Sequence, residues 1–165
     1  MATATTTAAP KITSSRLEYQ EFHKAFPEFA TSMAAITHAL KKSGIEPEIR
    51  ELLKIRASQL NGCAFCIQFH LNDARKLGIP AEKLDLLPAW REAGIYSERE
   101  AAALEWTEHV TLLAQHHIDD EAFTRVKAIF PGEQLAQLTV AISQINAWNR
   151  IAAPFHFTPP IPGAV

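Results

Sequence analysis

Apolar residues recur at intervals of three and four along most of the chain, and alternation of apolar and polar residues is almost absent. That spacing is typical of amphipathic helices, because it places the apolar side chains on one helix face. A late example is the stripe formed by Leu135, Leu138, Ile142 and Ile145. The pattern predicts an all-α bundle of about seven or eight helices.

Residues that start and stop helices divide this pattern into segments. Pro47 suits the first position of a helix, and Asn61-Gly62 closes the segment that it opens. Ser97 and Glu100 have the spacing of a capping box. Between residues 81 and 96 the pattern is interrupted by proline and glycine, which predicts only one or two short turns.

Length and composition limit the number of domains. A chain of 165 residues fits one domain, with enough surface buried on folding to need no disulfide staples. Residues 1 to 15 are small and polar without periodicity, so they predict a mobile tail ahead of a single domain over 16 to 165. The apolar stripe near residue 140 and the ending "WNRIAAPFHF" offer more apolar surface than a small bundle needs, which predicts an oligomer.

Charge and targeting signals exclude several classes of partner. The formal charge of −2 and pI near 6.4 provide no basic surface for nucleic acid or anionic lipid. The opening "MATATTTAAP" lacks the features of a secretory signal, and no apolar run is long enough to span a membrane. We therefore expect a cytoplasmic protein, in which a cysteine pair favours catalysis or metal binding over a structural clamp.

The stretch "LNGCAFCIQFH" contains both cysteines of the chain, Cys63 and Cys66, followed by His70. On a helix beginning here, the three side chains fall within about 60° of one another. A cysteine in a first helical turn is stabilised as a thiolate by the helix dipole. His70, one turn after Cys66, is placed to accept its proton and so make a nucleophile.

Glu51, on the preceding helix, is a candidate partner for His70. The two residues lie at similar distances from the Asn61-Gly62 turn, so an antiparallel pair of helices places them at similar depth. A carboxylate there orients the imidazole and stabilises its protonated form. The alternative is that Arg50 or Lys54 holds Glu51 in the surface solvent layer.

Three other interpretations of the cysteine pair remain open. A structural zinc site usually brings a second ligand pair, but none is nearby, and His116-His117 lies more than forty residues away. We therefore predict no metal. A thioredoxin fold needs flanking strands, which are not predicted. Packing alone is the third interpretation, because free cysteine is a good small buried residue.

The spacing of Glu51, Cys63-Ala64-Phe65-Cys66 and His70 resembles the signature of the alkylhydroperoxidase D-like (AhpD-like) proteins of the carboxymuconolactone decarboxylase family. The segments "NGC", "LNDARKLG" and "INAWNRIA" (145 to 152) resemble the same family, so the similarity covers roughly residues 20 to 155. It implies an AhpD-like helical bundle with the cysteine pair at the N-terminus of a central helix, assembled as a trimer or hexamer.

The resemblance also implies a thiol-dependent peroxidase that uses no cofactor. Cys66 would attack an alkyl or hydrogen peroxide and become a sulfenic acid, Cys63 would resolve it to a disulfide, and Glu51 and His70 would relay the proton. A lipoyl-type or thioredoxin-like dithiol would reduce the pair. Some members have a histidine directly before the second cysteine, whereas here Phe65 occupies that position, so a second proton carrier is missing.

Two other functions stay open at this point. One is another acid-base or thiol-dependent reaction of the same helical scaffold on a small molecule. Lactone decarboxylation itself is disfavoured, because decarboxylases of the family generally lack the cysteine pair. The other is a non-enzymatic redox sensor or zinc-holding protein, whose cysteine pair changes state without turnover.

Overall fold

The computed structural model describes residues 15–115 and 117–163, and within them the chain forms nine α-helices, one 3₁₀-helix and no strand. The helices are α1 (Tyr19–Ala25), α2 (Pro27–Lys41), α3 (Pro47–Leu60), α4 (Ala64–Lys76), α5 (Ala81–Asp85), α6 (Trp90–Ala93), α7 (Glu98–Thr111), α8 (Asp120–Ile129) and α9 (Gln134–Phe155), with the 3₁₀-helix at Leu87–Ala89. The predicted all-α class is confirmed. The count exceeds seven or eight because the interrupted segment forms two very short helices around the 3₁₀ turn.

Local sequence signals account for where the main helices begin. Pro47 occupies the first position of α3, where its missing N–H costs nothing. The Ser97 Oγ accepts a hydrogen bond from the Glu100 N–H, and the Glu100 carboxylate accepts one from the Ser97 N–H, which confirms the predicted capping box of α7. At α8 the Asp119 carboxylate caps the Ala122 N–H at 2.7 Å.

Helix α3 forms the centre of the bundle, packing against α4, α7 and α9. Its Leu52, Leu53 and Ile55 are almost completely buried. The α9 stripe that suggested surplus apolar surface is also buried within the single chain, its members being Leu135, Leu138, Ile142 and Ile145. That stripe therefore gives no support to an oligomer, because other helices of the same chain cover it.

The turn between α3 and α4 is fixed by amide side chains from α9. Gly62 has a φ of 66°, in the left-handed region that favours glycine. The Asn61 Nδ2 donates to the Oδ1 atoms of Asn146 and Asn149, each at 2.9 Å. The Asn149 Nδ2 in turn donates to the Ser58 Oγ at 3.0 Å. These hydrogen bonds link Asn146 and Asn149 of α9 to the turn directly before the cysteine pair.

Two sequence expectations fall partly or wholly on residues outside the described ranges. Of the predicted tail over residues 1 to 15, only Ser15 is described, and His116 is not described either. No helix in the described part of the chain combines the length and the apolar character needed to cross a membrane.

We call the hydrogen bonds that join Asn61 and Ser58 to α9 the asparagine anchor, and its contribution can be tested by replacing Asn149 with alanine. We expect Asn149→Ala to lower the free energy of unfolding by about 1 to 3 kcal/mol, because it removes the hydrogen bonds that Asn149 forms with Asn61 and Ser58 inside the protein. Urea unfolding measures the change. Ser143→Ala, which removes an exposed hydroxyl from the same helix, is the control. Equal losses in the two variants would contradict a specific role for the anchor.

Candidate active site

The cysteine pair occupies the start of α4, as its sequence predicted. Cys63 is the N-cap and Cys66 lies in the first turn, with their Cα atoms 5.4 Å apart and a disulfide between them. Both residues are buried, with 1% and 3% of their surfaces exposed. The structure therefore corresponds to the oxidised form of a dithiol pair.

His70 and Glu51 meet across the α3–α4 hairpin. The His70 Nδ1 lies 2.7 Å from the Glu51 Oε2. An ionised carboxylate only accepts hydrogen bonds, so the geometry assigns the hydrogen to Nδ1, which donates to Glu51. The same tautomer leaves the Nε2 of a neutral His70 free to accept a proton.

Glu51 is held as a buried anion by two neighbours. Its second oxygen, Oε1, accepts a hydrogen bond from the Lys54 Nζ at 2.6 Å. Burial raises the pKa of the Glu51 carboxyl, but the hydrogen bond from His70 and the charge of Lys54 outweigh burial and lower it from 4.5 to about 2. Glu51 is therefore ionised throughout the neutral range.

The alternative of a solvated Glu51 is wrong, because only 8% of its surface is exposed. Arg50 does not hold it in solvent, since the Arg50 Nη1 donates to the backbone oxygens of Leu40 and Ile45. Lys54 does pair with Glu51, but the two side chains are largely buried, with 15% and 11% of their surfaces exposed.

A cavity of about 570 Å³ opens beside this group. Its wall includes Cys66, His70, Glu51 and Lys54, and aromatic side chains from three helices add to it. Those aromatic residues are Tyr19 of α1, Phe65 and Phe69 of α4, and Trp148 of α9. A ligand in the cavity would therefore meet apolar and charged side chains as well as a cysteine.

The two sulfurs differ in their access to this cavity. Cys66 lines it, whereas Cys63 is not part of the wall. The Sγ of Cys63 instead accepts a hydrogen bond from the backbone N–H of Cys66 at 3.3 Å, as an N-cap side chain does. The helix terminus thus favours charge on Cys63, while the cavity gives a substrate access to Cys66.

Among the described residues, Glu51, His70 and Asp73 form a set whose possible metal-ligand atoms lie within 4.8 Å of one another. Two carboxylates and an imidazole are a reasonable donor set for a divalent cation. The Lys54 ammonium is already bound to Glu51, however, and its positive charge opposes a second cation there. Glu51 and His70 also occupy each other through their hydrogen bond.

The structure brings together the four residues that the sequence predicted for the site, but the walls of the cavity were not predicted. Tyr19 and Trp148 come from helices far away along the chain, and their ring centroids lie 6.2 Å apart. The only sequence signal for Trp148 was its place in the "INAWNRIA" segment. Nothing in the sequence indicated Tyr19.

Comparison with protein families gives one matching model. The model of the carboxymuconolactone decarboxylase family matches residues 27–109, which include α3, the cysteine pair and His70. The uncharacterized protein YdfG of Bacillus subtilis is 44% identical over 139 residues, which cover 84% of this chain and 92% of YdfG.

Several solved structures resemble the fold, and two of them are informative. ATU0492 of Agrobacterium tumefaciens, a protein of unknown function proposed to be the antioxidant defence protein AhpD, superposes with a TM-score of 0.83 at 37% identity, covering 90% of this chain and 99% of that one. The second is the debrominase Bmp8, solved as a cysteine-to-alanine variant in complex with 2,3,4-tribromopyrrole. It superposes with a TM-score of 0.70 at 18% identity, and the match covers 80% of this chain and 71% of Bmp8. At that identity the similarity to Bmp8 concerns the fold alone.

The pKa of Glu51 generates a prediction about stability in acid. Because its folded pKa of about 2 lies below its ordinary value of 4.5, the carboxylate stabilises the fold above pH 4.5. That stabilisation is lost as the pH falls from 4.5 toward 2. The difference in unfolding free energy between the parent and Glu51→Gln should therefore shrink across this window, as measured by urea unfolding.

Glu48→Gln, on an exposed position of the same helix, is the control for this titration. The difference in free energy of unfolding between Glu48→Gln and the parent should stay small at every pH. If Glu51→Gln changed the free energy of unfolding by the same amount at pH 7 and at pH 3, the pKa of Glu51 would not be lowered by its partners.

We also expect no stoichiometric metal, because the thiols are joined in a disulfide and Lys54 opposes a cation at Glu51. Elemental analysis of protein purified without chelator should find less than about half an equivalent of zinc, as for an incomplete ligand set. A higher content that disappears in Asp73→Asn would contradict this and identify the set around His70 as a metal site.

Proposed function

The chain belongs to the carboxymuconolactone decarboxylase family as an AhpD-like member, and on that premise we propose that it is a thiol-dependent peroxidase. The observation that carries the proposal is the opening of the cavity onto Cys66 beside the Glu51–His70 pair. A peroxide in this cavity would reach a sulfur whose proton acceptor lies one helical turn away.

In the proposed cycle, the neutral Nε2 of His70 takes the proton of the reduced Cys66. The thiolate attacks a peroxide oxygen, so that a sulfur–oxygen bond forms and the oxygen–oxygen bond breaks. The departing alkoxide takes the proton back from His70 and leaves as an alcohol. Glu51 acts as a positioning residue that orients the imidazole and stabilises its charged form.

Cys63 completes the cycle in this proposal. Its sulfur attacks the sulfenic acid on Cys66, the two form a disulfide, and the hydroxyl leaves with a proton as water. An external dithiol of the lipoyl or thioredoxin-like class then exchanges with the disulfide and restores both thiols. One peroxide and one dithiol are thus converted to one alcohol, one water and one disulfide.

The physiological setting is proposed on the same basis. We propose a cytoplasmic protein, because its cycle requires a compartment with reducing dithiols. We also propose a homo-oligomer, a trimer or hexamer, on the resemblance to AhpD-like proteins.

A second candidate is a thiol-dependent reaction on another small aromatic compound. Tyr19, Phe65 and Trp148 in the cavity wall favour flat apolar ligands. A structural relative, Bmp8, is a debrominase solved with a brominated pyrrole. A redox sensor that never turns over is the non-enzymatic alternative.

A dithiol-supported assay over several peroxides tests the leading function. We expect repeated turnover of organic hydroperoxides with a reduced lipoyl-type dithiol, because the cavity is far larger than hydrogen peroxide requires. Release of bromide from 2,3,4-tribromopyrrole without peroxide turnover would instead favour the second candidate. Oxidation of only one equivalent of dithiol would favour the sensor.

The roles of the two sulfurs can be separated with serine variants. After one addition of peroxide, Cys63→Ser should consume about one equivalent and hold a trappable sulfenic acid on Cys66, because the first attack needs only the thiolate. Cys66→Ser should lose the fast reaction, since Cys63 is outside the cavity wall. Mass spectrometry with a sulfenic-acid trap identifies the modified residue.

The opposite result has a definite meaning. A fast reaction in Cys66→Ser and none in Cys63→Ser would show that the helix terminus, rather than cavity access, determines the nucleophile. The roles proposed for the two cysteines would then be reversed.

A further inference from the structure

We propose that the cavity binds organic hydroperoxides whose apolar body ends in a carboxylate, with Lys41 as the counter-ion of that carboxylate. The proposal rests on the peroxidase function and specifies its substrate class. It follows from the way one face of α2 changes from apolar to cationic along the cavity.

One continuous face of α2 forms a long wall of the cavity. The wall residues recur at intervals of three and four, as expected for one side of a helix. They are Ala30, Met33, Ala34, Thr37, His38 and Lys41. Lys41 follows Ala30 by eleven positions, so the wall extends over about 16 Å at the helical rise of ~1.5 Å per residue.

The beginning of this wall lies at the aromatic end of the cavity. Phe29, next to Ala30, contacts Trp148 with ring centroids 5.5 Å apart. Tyr19 joins the same group through Trp148 and through Phe65, whose ring centroid is 5.1 Å away. An apolar or aromatic body is therefore the complement of this end.

The end of the wall lies at the charged end of the cavity. Arg50 donates a hydrogen bond to the Leu40 oxygen, which ties the last turn of α2 to the beginning of α3, where Glu51 lies. On α4, Phe65 belongs to the aromatic end and His70 contacts Glu51. Cys66 follows Phe65 and precedes His70 by one turn, so the reacting sulfur lies between the two ends.

At the charged end of the cavity, Lys41 remains available to pair with an anionic group of a ligand. The carboxylate of Glu51 is bound by Lys54 and His70, and that of Asp73 is bound by Lys76 at 2.8 Å. Lys41 forms no ion pair with any of the residues that the structure describes. A ligand carboxylate would neutralise it, whereas a second cation or an uncharged end would not.

The size of the cavity supports an organic ligand of this kind. Its volume of about 570 Å³ is in the range of pockets that bind drug-sized molecules. A water molecule occupies only about 30 Å³ in the liquid, so hydrogen peroxide would leave most of the cavity unfilled. A chain with its hydroperoxide between an apolar tail and a carboxylate would contact both ends at once.

Steady-state kinetics can test the role of Lys41. The substrates are an unsaturated fatty-acid hydroperoxide and its methyl ester, which differ only in the charge at one end. The parent should prefer the acid in kcat/KM, and Lys41→Gln should lower the acid-to-ester ratio by about two- to fivefold, through KM, as for an ion pair formed by an exposed lysine.

Lys42→Gln is the matched control, because Lys42 is exposed on the same helix terminus but is not in the cavity wall. This variant should keep the parent's ratio. Added salt should reduce the preference for the acid in the parent more than in Lys41→Gln. The same acid-to-ester ratio in the parent and both variants would overturn the proposal.

A binding measurement separates this inference from the peroxidase function. Titration calorimetry of the oxidised protein with the unreactive hydroxy acid and its methyl ester needs no turnover. Tighter binding of the acid that is lost in Lys41→Gln would support the carboxylate site even if no peroxide were consumed. Equal binding of acid and ester would reject the site, even if neutral hydroperoxides were turned over.

Discussion

The buried carboxylate of Glu51 is the constraint on which the site depends. An isolated buried charge would cost several kcal/mol, so the fold must supply partners for it. His70 supplies one across the helix hairpin and Lys54 supplies the other from the next turn of α3. Both partners hold Glu51 ionised, and the ionised form in turn fixes the tautomer of His70.

That pairing works only if α3 and α4 keep their register. The turn between them is anchored to α9 by amide hydrogen bonds around Asn61, so the relative depth of Glu51 and His70 is set by contacts from a third helix. The α3–α4 hairpin contains Glu51, the cysteine pair and His70, while α1, α2 and α9 supply most of the cavity around Cys66. In the proposed function, chemistry and most of the ligand recognition are therefore carried by different parts of the chain.

The sequence was sufficient for what depends on local spacing. Helix periodicity, the capping box at Ser97 and the similar distances of Glu51 and His70 from one turn are short-range properties, and the structure matches them. The cavity wall was not predictable, because Tyr19, Lys41 and Trp148 meet only through tertiary packing. The α9 stripe was misjudged for the same reason, since an apolar face does not reveal which helix covers it.

The central claim is that Glu51, acting through His70, stabilises the thiolate of Cys66. The most direct test is the ultraviolet absorbance of that thiolate as a function of pH in Cys63→Ser, with and without Glu51→Gln. The pH midpoint of thiolate formation should rise by about one unit or more when the charge of Glu51 is removed, and Glu48→Gln should leave it in place. An unchanged midpoint in Glu51→Gln would contradict the account, because the buried carboxylate would then have no influence on the reactive sulfur.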